Sequence, residues 1–377
     1  MKSDRFLVLD SLRGVCAIMV ALFHFPASGA IVSLPIVANS WLFVDFFFVL
    51  SGFVIAAAYR RRLSEGFSPL LFMWARFWRL YPLHIAILCV MLLSEVLLAA
   101  GVVTAGREPF GPGKTLSEFF YAATLVNCFG LTDELGWNGP SWSIGGEWWA
   151  YATFATIEVA ARTRANLVWL IVAGVALALS AFSGVPDRTF NWGILRALLG
   201  FGIGTLTFAI HKRYPFKLWK MASVIEIIII ALSALAVIFT PATLKFATPL
   251  LFAAVVFTFA RSDGLISGLL KAPLLIRLGA LSYSIYLWQV MLQARLLDGV
   301  GLFFPEYISR NSGGANVFAG PAWIGDTLAI LMLATLIAFS VLSYRFIELP
   351  GQRFGRGQVH RINRSMVKMA TRRCDES

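Results

Sequence analysis

Long apolar segments alternate with short polar segments along almost the whole chain. Most of these segments run for about 20 residues, which is the length a helix needs to cross the hydrocarbon core of a bilayer. The pattern predicts an all-α fold, a polytopic transmembrane helix bundle of about ten spans. The predicted spans are residues 7–29, 39–59, 80–101, 142–161, 166–183, 192–210, 222–240, 244–260, 277–297 and 322–345.

The apolar segment 117–131 is shorter and fits either an eleventh span or a re-entrant or interfacial helix. The basic residues decide between these alternatives, because Lys and Arg concentrate in cytoplasmic loops. With ten spans and the N-terminus inside, 25 of the 32 Lys and Arg residues lie on the cytoplasmic side. An eleventh span would move Arg162 and Arg164 outward and would invert every later loop. We therefore predict that 117–131 does not cross the membrane and that both termini are cytoplasmic.

The composition agrees with a membrane protein and excludes several other classes. Of the 377 residues, 58% are hydrophobic and 14% are charged, and the mean hydropathy is +0.75. A soluble domain carries about 25% charged residues, so a soluble enzyme, a disordered chain and a secreted disulfide scaffold are excluded. The net charge of +12 follows alternate loops, so we expect no nucleic-acid partner. Residues 1–350 are predicted to form the transmembrane domain, and 351–377 a basic cytoplasmic tail.

The cysteines are isolated from one another and from histidine. Their spacing supports neither a metal site nor a disulfide framework, so we expect no metal and no permanently bound cofactor. The four residues concerned are Cys16, Cys89, Cys128 and Cys374.

Ionisable side chains inside predicted spans mark candidate functional sites, because charge is costly to bury in a bilayer. Arg13 and His24 in the first span are eleven residues apart, so they share one helix face, about 16 Å apart along the axis. Asp10 is placed to pair with Arg13. Asp45 and Glu147 each lie near the outer edge of their spans. His24, Asp45 and Glu147 are therefore predicted to converge in the outer half of the bundle.

Each of these residues also has a structural interpretation. His24 fits a packed, hydrogen-bonded core residue, and Asp45 fits the buried partner of a backbone group or an arginine. Arg76 and Arg79 fit anchors at the cytoplasmic interface. Their i, i+3 spacing also places both guanidinium groups on one face, which suits phosphate recognition. Together with Arg13 they predict a cationic inner mouth, suited to an anionic cytoplasmic ligand and an outward-facing reaction centre.

Six short motifs lie between residues 9 and 354. They are LDSLRGVCAIMVALFHF, FVDFFFVLSGFVI, ARFWRLYPLH, GPSWSIGGEWWAY, LGALSYSIYLWQ and YRFIELPGQRF. Together they resemble the signature of the acyltransferase-3 family of bacterial integral-membrane O-acyltransferases, in its stand-alone form. One departure is Gln289, which stands where the family usually has histidine; a glutamine can hydrogen-bond an acceptor sugar but has no acid–base chemistry.

The resemblance implies transfer of an acyl group, usually acetyl, from cytoplasmic acyl-CoA to a hydroxyl of an extracytoplasmic glycan or glycolipid. It implies an O-acetyltransferase of the bacterial inner membrane, with acyl-CoA, the acceptor and the lipid bilayer as partners. The implied catalytic residues are His24, Glu147 and Asp45, and the implied substrate- or acyl-CoA-binding residues are Arg13, Arg76, Arg79, Ser143, Trp142 and Gln289.

Two mechanisms and two other classes of function stay open at this stage. His24 is either the general base that takes the proton of the attacking hydroxyl or the nucleophile of an acyl-histidine intermediate. Glu147 is expected to orient His24, to stabilise its charge or to bind acceptor hydroxyls, and Asp45 to assist. A transporter or flippase of a lipid-linked sugar also fits charged groups across ten spans, and a structural membrane component is the third possibility.

Overall fold

The computed structural model describes residues 6–102, 108–182, 189, 191–214, 221–261, 264–310 and 315–375, with only the backbone of 242–243 and 366–375. Within this part the chain is helical almost throughout, as the apolar pattern predicts. Several basic residues that enter the predicted topology lie outside the described residues: Lys2, Arg5, Arg107, Arg188, Lys217 and Lys220.

The helices follow one another with short connections. The first seven are α1 (Leu7–Phe23), α2 (Pro35–Ala38), α3 (Phe43–Ser64), α4 (Pro69–Ala99), α5 (Leu116–Ala123), α6 (Trp142–Ala160) and α7 (Ala165–Phe182). They are followed by α8 (Gly193–Arg213), α9 (Ala222–Phe239), α10 (Thr248–Phe259), α11 (Leu265–Leu270), α12 (Pro273–Phe303), α13 (Ala322–Ser343) and α14 (Leu349–Asp375). Between α12 and α13, β1 (Ile308–Arg310) pairs antiparallel with β2 (Asn316–Phe318).

Seven helices of the described chain are long and apolar enough to cross a bilayer. They are α3, α4, α7, α8, α9, α12 and the long helix that begins with α13. Of the other predicted spans, α1 has 17 residues and α10 has 12, while α6 has 19 residues and carries Glu147 and Glu158. The chain is therefore a multi-pass membrane protein. The count of ten spans and the cytoplasmic termini stay predictions.

The ambiguous segment 117–131 is helical only in its first part, which belongs to α5. Thr115 and Glu118 form a capping box that begins this helix. The helix has eight residues, so it is about 12 Å long and too short to cross the hydrocarbon core. This agrees with the rejection of an eleventh span.

Helix α4 begins well before the span predicted for this part of the chain. The side chain of Ser68 accepts a hydrogen bond from the backbone of Leu71, and Pro69 occupies the first turn. Both features favour a helix start at this point. Arg76 and Arg79 consequently lie in the second and third turns of α4, not at the edge of the helix. The hydropathy pattern missed this start because the two arginines interrupt the apolar run.

Helices α3 and α8 approach each other closely enough to require glycine. A Cβ atom at Gly52 would overlap the backbone carbonyl oxygen of Phe201, and one at Gly204 would overlap that of Val49. Such close backbone approach is typical of helix pairs in membranes. The contact fixes the position of α3, which carries several residues of the site described below.

Helix α13 continues into α14 through a π-helical turn, Tyr344–Glu348. The segment predicted as a basic tail is thus helical as far as Asp375. Its first turns pack on α4, because a Cβ at Gly351 or Gly355 would come within 3.0 Å of Pro82 or 2.5 Å of Trp78, respectively. The π turn therefore lies beside the part of α4 that carries Arg79.

Candidate active site

A cavity of about 170 Å³ lies among α1, α3, α4, α6 and α12. Its lining combines an apolar surface from α3 and α6 with polar side chains from all five helices. The polar lining residues are Asp10, Arg13, Ser51, Arg76, Arg79, Ser143, Glu147, Tyr151, Ser282, Tyr283 and Tyr286. A pocket with a few convergent charged groups is the usual form of a small-molecule site.

The cavity has two chemically different ends. They can be ordered along α3 and α6, because these helices run parallel. The guanidinium of Arg60 on α3 binds Glu158 on α6 at 2.8 Å, and nearer the N-termini of both helices the ring centroids of Phe48 and Trp142 are 6.0 Å apart. The end that contains Ile55, Tyr151 and Arg76 is called the arginine end below. The end that contains Val44, Phe48 and Ile144 is called the apolar end.

Glu147 lies between the two ends and is held by hydroxyl groups. The hydroxyl of Ser51 donates to its carboxylate at 2.6 Å, and the hydroxyl of Tyr151 donates to the same oxygen. Ser51 and Tyr151 are themselves 3.1 Å apart. The carboxylate is therefore fixed in position by two donors and can act on a ligand as an acceptor or as a base.

The three arginines of the cavity differ in how far their charge is already compensated. Arg79 forms an ion pair with Glu348, which also accepts a hydrogen bond from Ser284 at 2.9 Å. Arg76 donates to the hydroxyl of Tyr59 at 3.2 Å. Within the described part of the chain, the buried Nε atom of Arg76 has no hydrogen-bond partner. Arg79 is thus paired with a carboxylate, whereas the Nε–H of Arg76 is a donor that a ligand could use.

Arg13 resembles Arg76 in this respect. Its guanidinium donates to the carbonyl of Gly279 at 2.7 Å and lies 3.9 Å from the carboxylate of Asp10. Its Nε atom is buried without a partner among the described residues. The Arg13 side chain as a whole is 30% exposed.

The structure brings Glu147 together with the arginines, which the sequence placed on opposite sides. Of the predicted outer cluster of His24, Asp45 and Glu147, only Glu147 lines this cavity, which it shares with the three arginines of the predicted inner mouth. The cause is the early start of α4, which carries Arg76 and Arg79 along the helix to the region of Glu147.

Asp45 forms a buried ion pair with Arg196 of α8. The guanidinium of Arg196 contacts its two carboxylate oxygens at 2.6 and 3.2 Å, and the hydroxyl of Thr248 lies 3.3 Å away. Both charged side chains are nearly fully buried. The structural interpretation, a buried partner for an arginine, is confirmed for Asp45.

His24 follows the last residue of α1 and lies outside the cavity lining. Its Nδ1 is 2.9 Å from the carbonyl of Val20, and its ring contacts Phe23 at 4.9 Å. A carbonyl oxygen only accepts, so Nδ1 carries the proton and Nε2 of the neutral ring has the lone pair. The predicted pairing of Asp10 with Arg13 is present, at the long distance given above.

The remaining predicted residues are divided between the cavity wall and its surroundings. Ser143 lines the cavity and donates to the hydroxyl of Tyr286 at 2.9 Å. Trp142 lies behind the wall, with its ring 5.6 Å from the guanidinium of Arg196. Gln289 is fully buried outside the cavity lining, and neither of its amide atoms has a partner among the described residues.

Several residues in and around the site were not singled out from the sequence, among them Ser282, Tyr283 and Tyr286, which line the cavity. Ser51 and Glu348 stand in two of the motifs quoted above, so a signal was present. Tyr151 lies one helical turn after Glu147, which was a weaker signal. Arg196 is an arginine in the middle of a predicted span, and such a residue needs a buried partner. Among the described residues, no cluster of three or more His, Cys, Asp or Glu side chains suits a metal ion.

Comparison with known proteins gives one family and two relatives. The family model described as "Acyltransferase domain", of the acyltransferase-3 type, matches residues 6–345. "Acyltransferase MdmB" of Streptomyces mycarofaciens is 26% identical over 361 residues, which are 88% of this chain and 83% of that protein. "Protein 2 in picA locus" of Rhizobium radiobacter is 33% identical over 189 residues, which are 47% of this chain and 95% of that protein. No solved structure gives a significant match.

Proposed function

The chain belongs to the acyltransferase-3 family, and on that premise we propose that it transfers an acyl group from acyl-CoA to a hydroxyl of an extracytoplasmic glycan or glycolipid. That it is a membrane acyltransferase follows from the family and the spanning helices. The acyl-CoA donor, an acetyl group as the unit transferred, the glycan acceptor and a place in the bacterial inner membrane are parts of the proposal.

The observation that carries the donor assignment is the pair of unpartnered guanidinium donors at the arginine end. Arg13 and Arg76 each keep a buried Nε without a hydrogen-bond partner among the described residues. A buried donor without a hydrogen-bond partner costs free energy, and guanidinium groups bind phosphate well. Acyl-CoA presents several phosphates at one end and a slender arm at the other. We assign the phosphates to Arg13 and Arg76, with Arg79 as a third cation behind them.

In the proposed reaction the oxygen of the acceptor hydroxyl attacks the thioester carbonyl. A base removes the hydroxyl proton, the carbon–sulfur bond breaks, and the CoA thiolate leaves and takes up a proton. We place the thioester beside Glu147, the carboxylate of the cavity that two hydroxyl donors fix in position. His24 offers Nε2 as the base on the acceptor side, or as the nucleophile of an acyl-histidine intermediate.

The remaining predicted residues are proposed either to contact a substrate or to position the wall of the cavity. Ser143 touches the cavity and is proposed to contact the substrate. Gln289 keeps a proposed role in binding the acceptor. Asp45 and Trp142 are proposed to position the wall of the cavity through Arg196, because both contact that side chain.

The proposal is tested with radiolabelled acetyl-CoA and membranes that contain the protein. Wild-type membranes are expected to transfer label to a glycan or glycolipid fraction, and His24→Ala to abolish the transfer in protein shown to be folded. Label that never leaves CoA in wild-type membranes would contradict acyl transfer, and full activity of His24→Ala would contradict the role of His24. The acceptor is identified by comparing surface glycans of wild-type and deletion strains by mass spectrometry.

The donor site has its own test, a binding measurement with acyl-CoA. Arg76→Ala removes a charged donor and is expected to weaken binding about tenfold or more, since a hydrogen bond to a charged group contributes about 1.5–3 kcal/mol. The matched control is Arg61→Ala, whose side chain is exposed and paired with Glu65 outside the cavity. Equal affinities for the two variants would contradict the phosphate role. The family match gives no support to the alternative of a transporter or flippase.

A further inference from the structure

The apolar end of the cavity is lined by hydrophobic side chains. Val44 and Phe48 of α3 and Ile144 of α6 line it, and each is at least nine-tenths buried. The polar groups at this end, the hydroxyls of Ser143 and Tyr286, are hydrogen-bonded to each other. A ligand that reaches this end from the arginines therefore meets an apolar surface.

Phe48 is the rigid part of this wall. Its Cβ packs so closely on α8 that a Cβ at Gly200 would lie 2.7 Å from it, and the tip of its ring faces Gly146 of α6. On a further side the ring contacts Trp142. A side chain enclosed by two helices and a second aromatic ring cannot swing aside to admit a longer ligand.

The distance from Glu147 to the wall is short. Ile144 precedes Glu147 by three residues on α6, and Phe48 precedes Ser51 by three residues on α3, so each wall residue lies about 4.5 Å further along its helix. A thioester carbonyl placed beside Glu147 thus has about one helical turn of space beyond it before Phe48 and Ile144. This length suits an acyl chain of very few carbons.

We infer that Val44, Phe48 and Ile144 form the acyl pocket and set the chain length, so that the donor carries a short acyl group. This inference rests on the proposed function. It adds the residues that select among acyl-CoA donors. One methylene group in such a pocket changes kcat/KM by about tenfold or more.

The test is a chain-length series of acetyl-, propionyl-, butyryl- and hexanoyl-CoA, assayed in membranes with the wild type and two matched variants. Ile144→Ala enlarges the apolar end, and Ile55→Ala makes the same change at the arginine end, where the side chain is equally buried. Wild type is expected to prefer acetyl-CoA. Ile144→Ala is expected to raise the ratio of kcat/KM for butyryl-CoA over acetyl-CoA about tenfold or more, and Ile55→Ala to leave this ratio as in wild type.

Val44→Ala serves as a second enlargement of the same wall, and gel filtration in detergent verifies that each variant is folded. A ratio unchanged in both Ile144→Ala and Val44→Ala, or shifted equally in Ile55→Ala, would overturn the acyl pocket. A wild type that prefers hexanoyl-CoA would also overturn it. Failure of wild type to use any acyl-CoA is a different result, because it contradicts the proposed function itself.

Discussion

The hydroxyl of Ser51 lies 2.6 Å from a carboxylate oxygen of Glu147, and this hydrogen bond joins α3 to α6 between the two ends of the cavity. Tyr151 donates to the same oxygen from one turn further along α6. Two neighbouring helices thus hold one acidic group in place. If the carboxylate takes part in the reaction, its loss and the loss of one donor have different consequences.

Glu147→Gln is expected to lower kcat for acyl transfer by a factor of about 100 or more, the usual contribution of a positioned acid–base group. Ser51→Ala removes only one hydrogen bond to a charged group, so a loss of about tenfold is expected. Both are measured with labelled acyl-CoA at equal amounts of folded protein. Equal activity of Glu147→Gln and wild type would exclude the carboxylate from the reaction.

The ion pair between Asp45 and Arg196 is expected to contribute to folding more than to chemistry. Arg196→Ala leaves the buried carboxylate unpaired, which costs about 3–5 kcal/mol, and Asp45→Asn has a similar effect on the guanidinium. Thermal unfolding in detergent measures the loss. The control is the exposed pair of Arg295 and Asp298, 2.8 Å apart, where Arg295→Ala is expected to change stability very little.

Specific activity separates the two roles of this pair. Variants that unfold early but transfer acyl groups normally per folded molecule support a structural role for Asp45. A stable Asp45→Asn protein without activity would instead return Asp45 to the catalytic residues.

The close approach of α3 and α8 predicts opposite results for two glycine-to-alanine changes. Gly204→Ala places a methyl group against the carbonyl of Val49 and is expected to prevent normal folding. Gly174→Ala, in the middle of α7 with nothing within 4 Å of the new Cβ, is expected to stabilise the helix by up to about 1 kcal/mol. Folded yield and thermal stability are compared in parallel. Equal stability of the two variants would mean that the α3–α8 contact is looser than described.

Cys128 is expected to be chemically inert in the folded protein. Its side chain, in the connection between α5 and α6, is fully buried, and burial raises the pKa of the thiol to about 12. Because the thiolate is the reactive form, raising the pH from 7 to 9 is expected to leave maleimide labelling of a variant with Cys128 as its single cysteine close to zero. The same sample, unfolded by a denaturing detergent, supplies the positive control. Labelling of the folded form that grows with pH would contradict the burial.

The helical part of the fold was accessible from the sequence because spanning helices need long apolar runs. The span predicted at 222–240 corresponds to Ala222–Phe239, and the one at 166–183 ends one residue beyond Ala165–Phe182, where residue 183 lies outside the described residues. The start of α4 was missed for the opposite reason. Arg76 and Arg79 line a cavity, so their charges are not placed in lipid although they lie within a long helix. A hydropathy pattern counts them only as polar residues and therefore places the start of the helix after them.

The sequence predicted several residues of the candidate site, but it did not predict how they are grouped in space. Arg13, Arg76, Arg79, Ser143 and Glu147 were all named from the sequence, and the structure places all five on one cavity. Their grouping depends on helix starts and on which faces meet, which periodicity gives only to within a few residues. The partner of Asp45 was beyond reach for a simpler reason: Arg196 lies 151 residues away in the chain, and no pattern links the two.

The π-helical turn at Tyr344–Glu348 has a consequence for the phase of the helix that follows. A π turn accommodates an additional residue, and each residue of a helix rotates the later side chains by about 100°. Glu348 faces Arg79, and Gly351 and Gly355 face α4, only because the turn sets this phase. Because the widened turn absorbs the additional residue, deleting one residue within 344–347 would let it close as an α-helical turn and would leave Gly351 and Gly355 facing α4. Deleting a residue from α13 before the turn would instead rotate both glycines away from α4 by about 100°.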